Sequence, residues 1–181
     1  MLKELFIVRH GHPQPGTGLL YDRVPGPPLS EVGRAEAYVS AQFLLDRGVD
    51  QVISSPLDRA IGTARVVAAT LGAPMTIEPM LAEHRGDEKF EDVKARIRTL
   101  LTHLDAQPVT CVALVTHGSP IKALLLLLSD ETIDLKHHTY ANGNHSPTAG
   151  IWHARRDLFG VWNMDLVFKP VVAAPTAHIP I

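Results

Sequence analysis

Two stretches of this 181-residue chain place histidine and glycine directly after an apolar run: Leu5-Phe6-Ile7-Val8-Arg9-His10-Gly11 and Cys111-Val112-Ala113-Leu114-Val115-Thr116-His117-Gly118. Arg59, three residues after Pro56, and Glu83, in a charged loop, stand between them in sequence. Arg9 and Arg59 supply two guanidinium forks that stay charged at physiological pH and match the oxygens of a phosphoryl group in geometry. His10 and His117 add two imidazoles. Transfer of a phosphoryl group needs mainly positioning and neutralisation of its equatorial oxygens, and four such side chains can supply both without a metal.

Chemistry at these residues requires elements that bring them together. Four consecutive apolar residues from Leu5 to Val8 read as a strand covered on both faces, the pattern of a parallel sheet packed between helices. Cys111 to Thr116 repeats it, and the apolar run Ile121 to Leu128 reads as a buried helix behind it. Ligands of open α/β sheets sit beyond the carboxyl ends of the strands, so both histidines are expected at one sheet edge. Val49 to Ser54 is a further strand, with Pro56 in the first turn of a helix that continues through Ala64, Val67, Ala68 and Leu71 to Gly72. Arg59 then lies one turn into that helix and can reach the same edge.

The remaining elements follow in order. Pro13 to Pro28 is rich in Pro and Gly and reads as a loop bordering the site, with Tyr21, Asp22 and Arg23 as its contact residues or as ordinary loop polarity. Ser30 caps a helix with apolar positions at Ala35, Val39, Phe43 and Leu44 that ends at Gly48. Met75 to Ile77 is a short strand, Met80 to Gly86 a loop, and Glu91 to Leu104 a helix. Ile151 to Ala154 and Val161 to Phe168 are late strands, and Pro170 to Ile181 is a tail without periodic signal. Strands alternating with helices predict an α/β fold with a mostly parallel central sheet in one domain spanning residues 1–181, its core at about 5–168.

Composition narrows the functional classes. Seventeen Lys and Arg against nineteen Asp and Glu leave a net charge of -2, which offers no basic field for nucleic acid. Lys3 and Glu4 precede only four apolar residues, too few for a signal-peptide core or a membrane span, and the single Cys111 excludes an intrachain disulfide. A cytoplasmic protein with no nucleic-acid or membrane partner is expected.

Arg9-His10-Gly11, Ser54-Ser55-Pro56 with Arg59, Leu81 with Glu83, and Thr116-His117-Gly118, in this order, resemble the histidine phosphatase superfamily, which includes the cofactor-dependent phosphoglycerate mutases and many small phosphatases. The resemblance runs from about residue 5 to about 154. It implies a three-layer α/β/α sandwich of the phosphoglycerate mutase type. It also implies that His10 is the nucleophile that becomes phosphorylated and that Arg9, Arg59 and His117 hold the phosphoryl group. Glu83 is the implied proton donor to the leaving oxygen, with His84 as its substitute; water then releases phosphate. The expected activity is that of a phosphomonoesterase needing no cofactor, acting on a small phosphorylated molecule or a phosphoprotein.

The sequence departs from the family pattern in two places. Where many members carry Glu-Thr and then Asn after the Arg-His-Gly triplet, this chain has His12-Pro13-Gln14-Pro15-Gly16. Only seven residues link Glu83 to Glu91, where the mutases insert long covering segments, so a wide, poorly covered pocket is expected. Tyr140 to Ser146 falls where the family has an Asn-containing turn, and Asn144 and His145 either line the pocket or build that turn. Other classes are a phosphoglycerate mutase-type phosphotransferase, a catalytically idle phosphate-binding module of the same fold, and a metal hydrolase using His10, His12, His117 and His145. Against the last, no carboxylate or cysteine falls at a familiar ligand spacing, and two arginines would repel a cation.

Overall fold

The computed structural model describes residues 1–171; the predicted tail falls almost entirely in residues 172–181, outside the described part. In chain order the elements are β1 (Glu4–Arg9), α1 (Glu31–Leu44), β2 (Gln51–Ser54), α2 (Asp58–Leu71), β3 (Met75–Ile77), α3 (Phe90–Asp105), β4 (Cys111–Thr116), α4 (Gly118–Leu128), β5 (Ile151–Arg156) and β6 (Trp162–Phe168). One six-stranded sheet has the order β3-β2-β4-β1-β5-β6. β1, β2, β3 and β4 run parallel, whereas β5 lies antiparallel to both β1 and β6.

Side-chain alternation along the central strands divides the core into two layers. Leu5 and Ile7 with Val112 and Leu114 face α3 and α4, and pack on Val93, Ile97, Leu100, Leu124 and Leu125. Phe6 and Val8 with Ala113 and Val115 face α1 and α2, and pack on Ala41, Leu44, Ala60, Ala64 and Val67. Because both faces are covered, the strands read as unbroken apolar runs rather than alternating ones. The α/β/α sandwich implied by the sequence motifs is the observed architecture.

Local boundaries differ from expectation where packing overrides pattern. The buried stripe of α1 is Gly33, Ala37, Ser40, Ala41 and Leu44, not the row through Ala35, Val39 and Phe43. Close approach explains the choice of small residues: a Cβ on Gly33 would lie 2.1 Å from the His12 carbonyl oxygen, so nothing larger fits where α1 meets the turn after β1. Ser30 caps α1 as expected, its hydroxyl accepting from the Gly33 N–H at 3.0 Å. Pro56 precedes α2, whose cap is Leu57, so Arg59 is the second helical residue rather than one turn in. Among the described residues, no helix is long and apolar enough to cross a membrane.

Candidate active site

The parallel register of β1 and β4 pairs Arg9 with Thr116, so His10 and His117 are each the next residue past a strand end. The His10 N–H donates to the Thr116 carbonyl at 2.9 Å, and the two imidazole centroids lie 5.0 Å apart. β2 ends one strand over, and its continuation brings the Ser55 hydroxyl to 2.6 Å from His117 Nε2. Both histidines and Arg59 are buried, at 5%, 0% and 1% exposure. The sheet edge therefore holds them in a largely dry setting.

His10 has a determined tautomer. Its Nδ1 lies 2.8 Å from the Gly11 carbonyl oxygen, which can only accept, so Nδ1 carries the proton and Nε2 carries the lone pair. That lone pair accepts a hydrogen bond from Arg59 Nε at 3.1 Å. Burial, reinforced by the Arg59 and Arg9 charges, holds the His10 pKa well below the ordinary imidazole value. Burial also depresses His117, with His10, Arg59 and Arg9 adding to the effect. Both rings are neutral at physiological pH.

The two arginines are fixed from outside the sheet. Arg9 donates to the Ser146 carbonyl at 2.8 Å, and Arg59 Nη2 donates to the Tyr21 carbonyl at 2.7 Å with its guanidinium 5.5 Å from the Tyr21 ring centroid. Burial lowers the Arg9 pKa and brings that of Arg59 down to about 10, against the pull of Glu83 on each. Arg9 Nε, Arg59 Nη1 and His117 Nδ1 are buried without a hydrogen-bond partner, an unusual concentration of unmet polar atoms in one place. Arg59 Nη1 abuts Gly26, where a Cβ would come within 3.0 Å of it at a φ of +69°.

Glu83 joins this group from the loop after the 3₁₀ turn Pro79–Leu81. Its Oε1 accepts from the His84 N–H at 2.8 Å and from the Ser119 N–H at 3.3 Å, in the first turn of α4, where the helix dipole favours a carboxylate. Oε2 has no hydrogen bond among the described residues. The His84 ring donates from Nε2 to the Glu88 carbonyl at 2.6 Å and does not reach the cavity.

A cavity of about 720 Å³ opens over these groups, with Arg9, His10, Arg59 and Glu83 in its wall. His12, Pro13, Pro15 and Tyr21 form one side, and Tyr140, Ala141, Asn142 and Asn144 with Pro147 and Thr148 form the other. Cover thus comes from the loop after β1 and from the segment before β5, not from the short link after Glu83. Of the weaker sequence candidates, Tyr21 and Asn144 line the cavity. Arg23 does not; it turns to Asp87 at 3.8 Å on the surface. His145 also falls outside the wall, because its Nδ1 donates to the His138 carbonyl at 3.0 Å and its own carbonyl accepts from Trp152. Gly118 is required beside the site: a Cβ there would collide with Asn144 Oδ1.

Several contributors had no role assigned to them from the sequence. Ser55 holds His117; Thr63 accepts the Gly11 N–H at 2.9 Å; Glu36 accepts from the His12 N–H and, at 2.7 Å, from the Thr148 hydroxyl. Tyr140, Asn142 and Thr148 line the cavity from a segment with no periodic signal. Ser55 stands in the Ser54-Ser55-Pro56 motif, and Tyr140 and Asn142 in the stretch from Tyr140 to Ser146, but neither signal assigns them a role; Glu36, Thr63 and Thr148 carry no signal in the sequence.

The sequence matches the family model of the Histidine phosphatase superfamily (branch 1) over residues 5–87 and 83–164. The chain belongs to this superfamily. Rv0525, an uncharacterized protein of Mycobacterium tuberculosis, is 42% identical over 80 residues, 44% of this chain and 40% of its own length. A probable phosphoglycerate mutase, GpmB of Yersinia pestis, is 31% identical over 80 residues, 44% of this chain and 37% of its own. The matches therefore span only about two fifths of these relatives. Among solved structures, the mycobacterial glucosyl-3-phosphoglycerate phosphatase Rv2419c in complex with VO3 superposes with a TM-score of 0.72 at 24% identity, covering 90% of this chain and 97% of that one.

Proposed function

We propose that this superfamily member is a metal-independent phosphomonoesterase that works through a phosphohistidine at His10. The observation that carries the reading is the hydrogen bond from His10 Nδ1 to the Gly11 carbonyl, which leaves an unprotonated Nε2 beside two guanidinium groups. A neutral, oriented imidazole is an activated nucleophile without further deprotonation. When a phosphomonoester enters, the Arg59 N–H exchanges its hydrogen bond to Nε2 for one to a phosphoryl oxygen and so frees the lone pair. Nε2 then bonds to phosphorus as the ester P–O bond breaks, and Arg9, Arg59 and His117 share the charge of the equatorial oxygens. Glu83 delivers a proton to the leaving oxygen. It afterwards takes one from the water that attacks the phosphohistidine, releasing phosphate and restoring His10.

The positive charge in this scheme resides on Arg9 and Arg59, so activity is expected to survive EDTA. Screening phosphomonoesters for released phosphate, with His10→Ala as control, tests the reading. Turnover by the wild type, unaffected by chelation and nearly absent from the variant, is expected. Normal turnover in His10→Ala, or loss on chelation restored by zinc or manganese, would overturn it. Phosphotransfer of the mutase type is the second reading, favoured by the likeness to GpmB.

A further inference from the structure

On the basis of that function, we infer that the preferred substrates are phosphomonoesters whose leaving group is uncharged and carries a planar ring, and that esters bearing a second anionic group are excluded. The inference rests on how charge is distributed over the cavity. Among the described residues, Arg9 and Arg59 are its only lining guanidinium or ammonium groups, and both are gathered at the phosphoryl end around His10. Glu83, the acidic residue in the wall, supplies no positive charge. A carboxylate or second phosphate on the substrate would enter a partly desolvated space with no countercharge, a costly placement.

The rest of the wall is built for something else. Pro13, Pro15 and Pro147 present rigid apolar surface, and the Tyr21 and Tyr140 side chains come from separate loops. Aromatic rings reward a stacked or edge-on planar group over a flexible chain. Asn142, held at a φ of 60° in a tight turn, offers an amide with no protein hydrogen bond among the described residues. That amide suits the heteroatoms of an uncharged ring. The volume of about 720 Å³ holds a phosphoryl group together with a ring system. The Lys169 ammonium sits 5.6 Å from the Tyr140 ring centroid, engaged with the ring rather than lining the cavity.

Binding of two non-hydrolysable phosphonates to the intact protein, measured by calorimetry, tests the assignment independently of turnover. Phenylphosphonate is expected to bind more tightly than 3-phosphonopropionate, which carries an added carboxylate, by roughly tenfold or more. Tyr140→Ser should lower phenylphosphonate affinity severalfold while inorganic phosphate binding, the reference for the His10 end, falls much less. Equal or reversed ranking would overturn the inference and point to Lys169 as an anion partner. A parallel loss of phenylphosphonate and phosphate in Tyr140→Ser would also overturn it. Failure of the phosphatase reading shows differently, as absence of hydrolysis whatever the ranking.

Discussion

Arg59→Met separates the demands of the fold from those of the chemistry. Arg59 is 1% exposed, and burial brings its pKa down to about 10. That drop corresponds to roughly 3 kcal/mol against holding the charge in the folded protein, a cost fully present at neutral pH. Hydrogen bonds from Nε to His10 and from Nη2 to the Tyr21 carbonyl offset it. At about 1.5 kcal/mol each, they leave the charge close to neutral for stability. Met fills similar volume without the charge, so urea denaturation should show a stability within about 1.5 kcal/mol of wild type, on either side. Phosphate release should instead fall by roughly 10²–10³, the effect of removing one charge-stabilising donor from a transition state. Loss of more than about 3 kcal/mol, or retention of most activity, would refute the reasoning and make Arg59 a structural ion.

Acid should destabilise the fold through the two histidines. Both are held neutral when folded but take up protons once unfolded below about 6.5, so stability is lost as pH falls through that value, each imidazole contributing a limiting slope of about 1.4 kcal/mol per pH unit. Thermal melts of wild type against His10→Gln/His117→Gln between neutral and mildly acidic pH check this, and identical slopes would contradict it. Incubation of 3-phosphoglycerate with the protein and a bisphosphoglycerate primer should give no isomer exchange faster than phosphate release, because among the described residues the cavity carries no guanidinium beyond Arg9 and Arg59 for a second anionic group. Exchange outpacing release would install the mutase reading instead.

The sheet and the central residues were legible because their signals are local. Apolar runs ending in His-Gly mark two buried strands and their carboxyl ends, and parallel register does the rest for His10 and His117. Arg59 and Glu83 were legible through motif order. What could not be seen depends on distant packing. The face of α1 is set by the His12 backbone pressing on Gly33, which admits only glycine there and turns Ala37, Ser40, Ala41 and Leu44 inward with it. The walls of the cavity come from loops whose side-chain directions follow from contacts such as Tyr21 O to Arg59 and Arg23 to Asp87. That is why Tyr21 and its near neighbour Arg23 end on different surfaces. His145 looked like a site residue by type, yet its backbone and ring serve Trp152 and His138.

The central claim is a covalent bond between His10 Nε2 and phosphorus. Rapid mixing with a radiolabelled phosphomonoester, quenching in alkali and mapping of the labelled peptide test it most directly. The expected result is a label stable in alkali and labile in acid, on the peptide containing His10, formed before phosphate is released and missing from His10→Ala. Steady release of phosphate with no label on His10 at any time, or a label that persists in His10→Ala, would contradict the account.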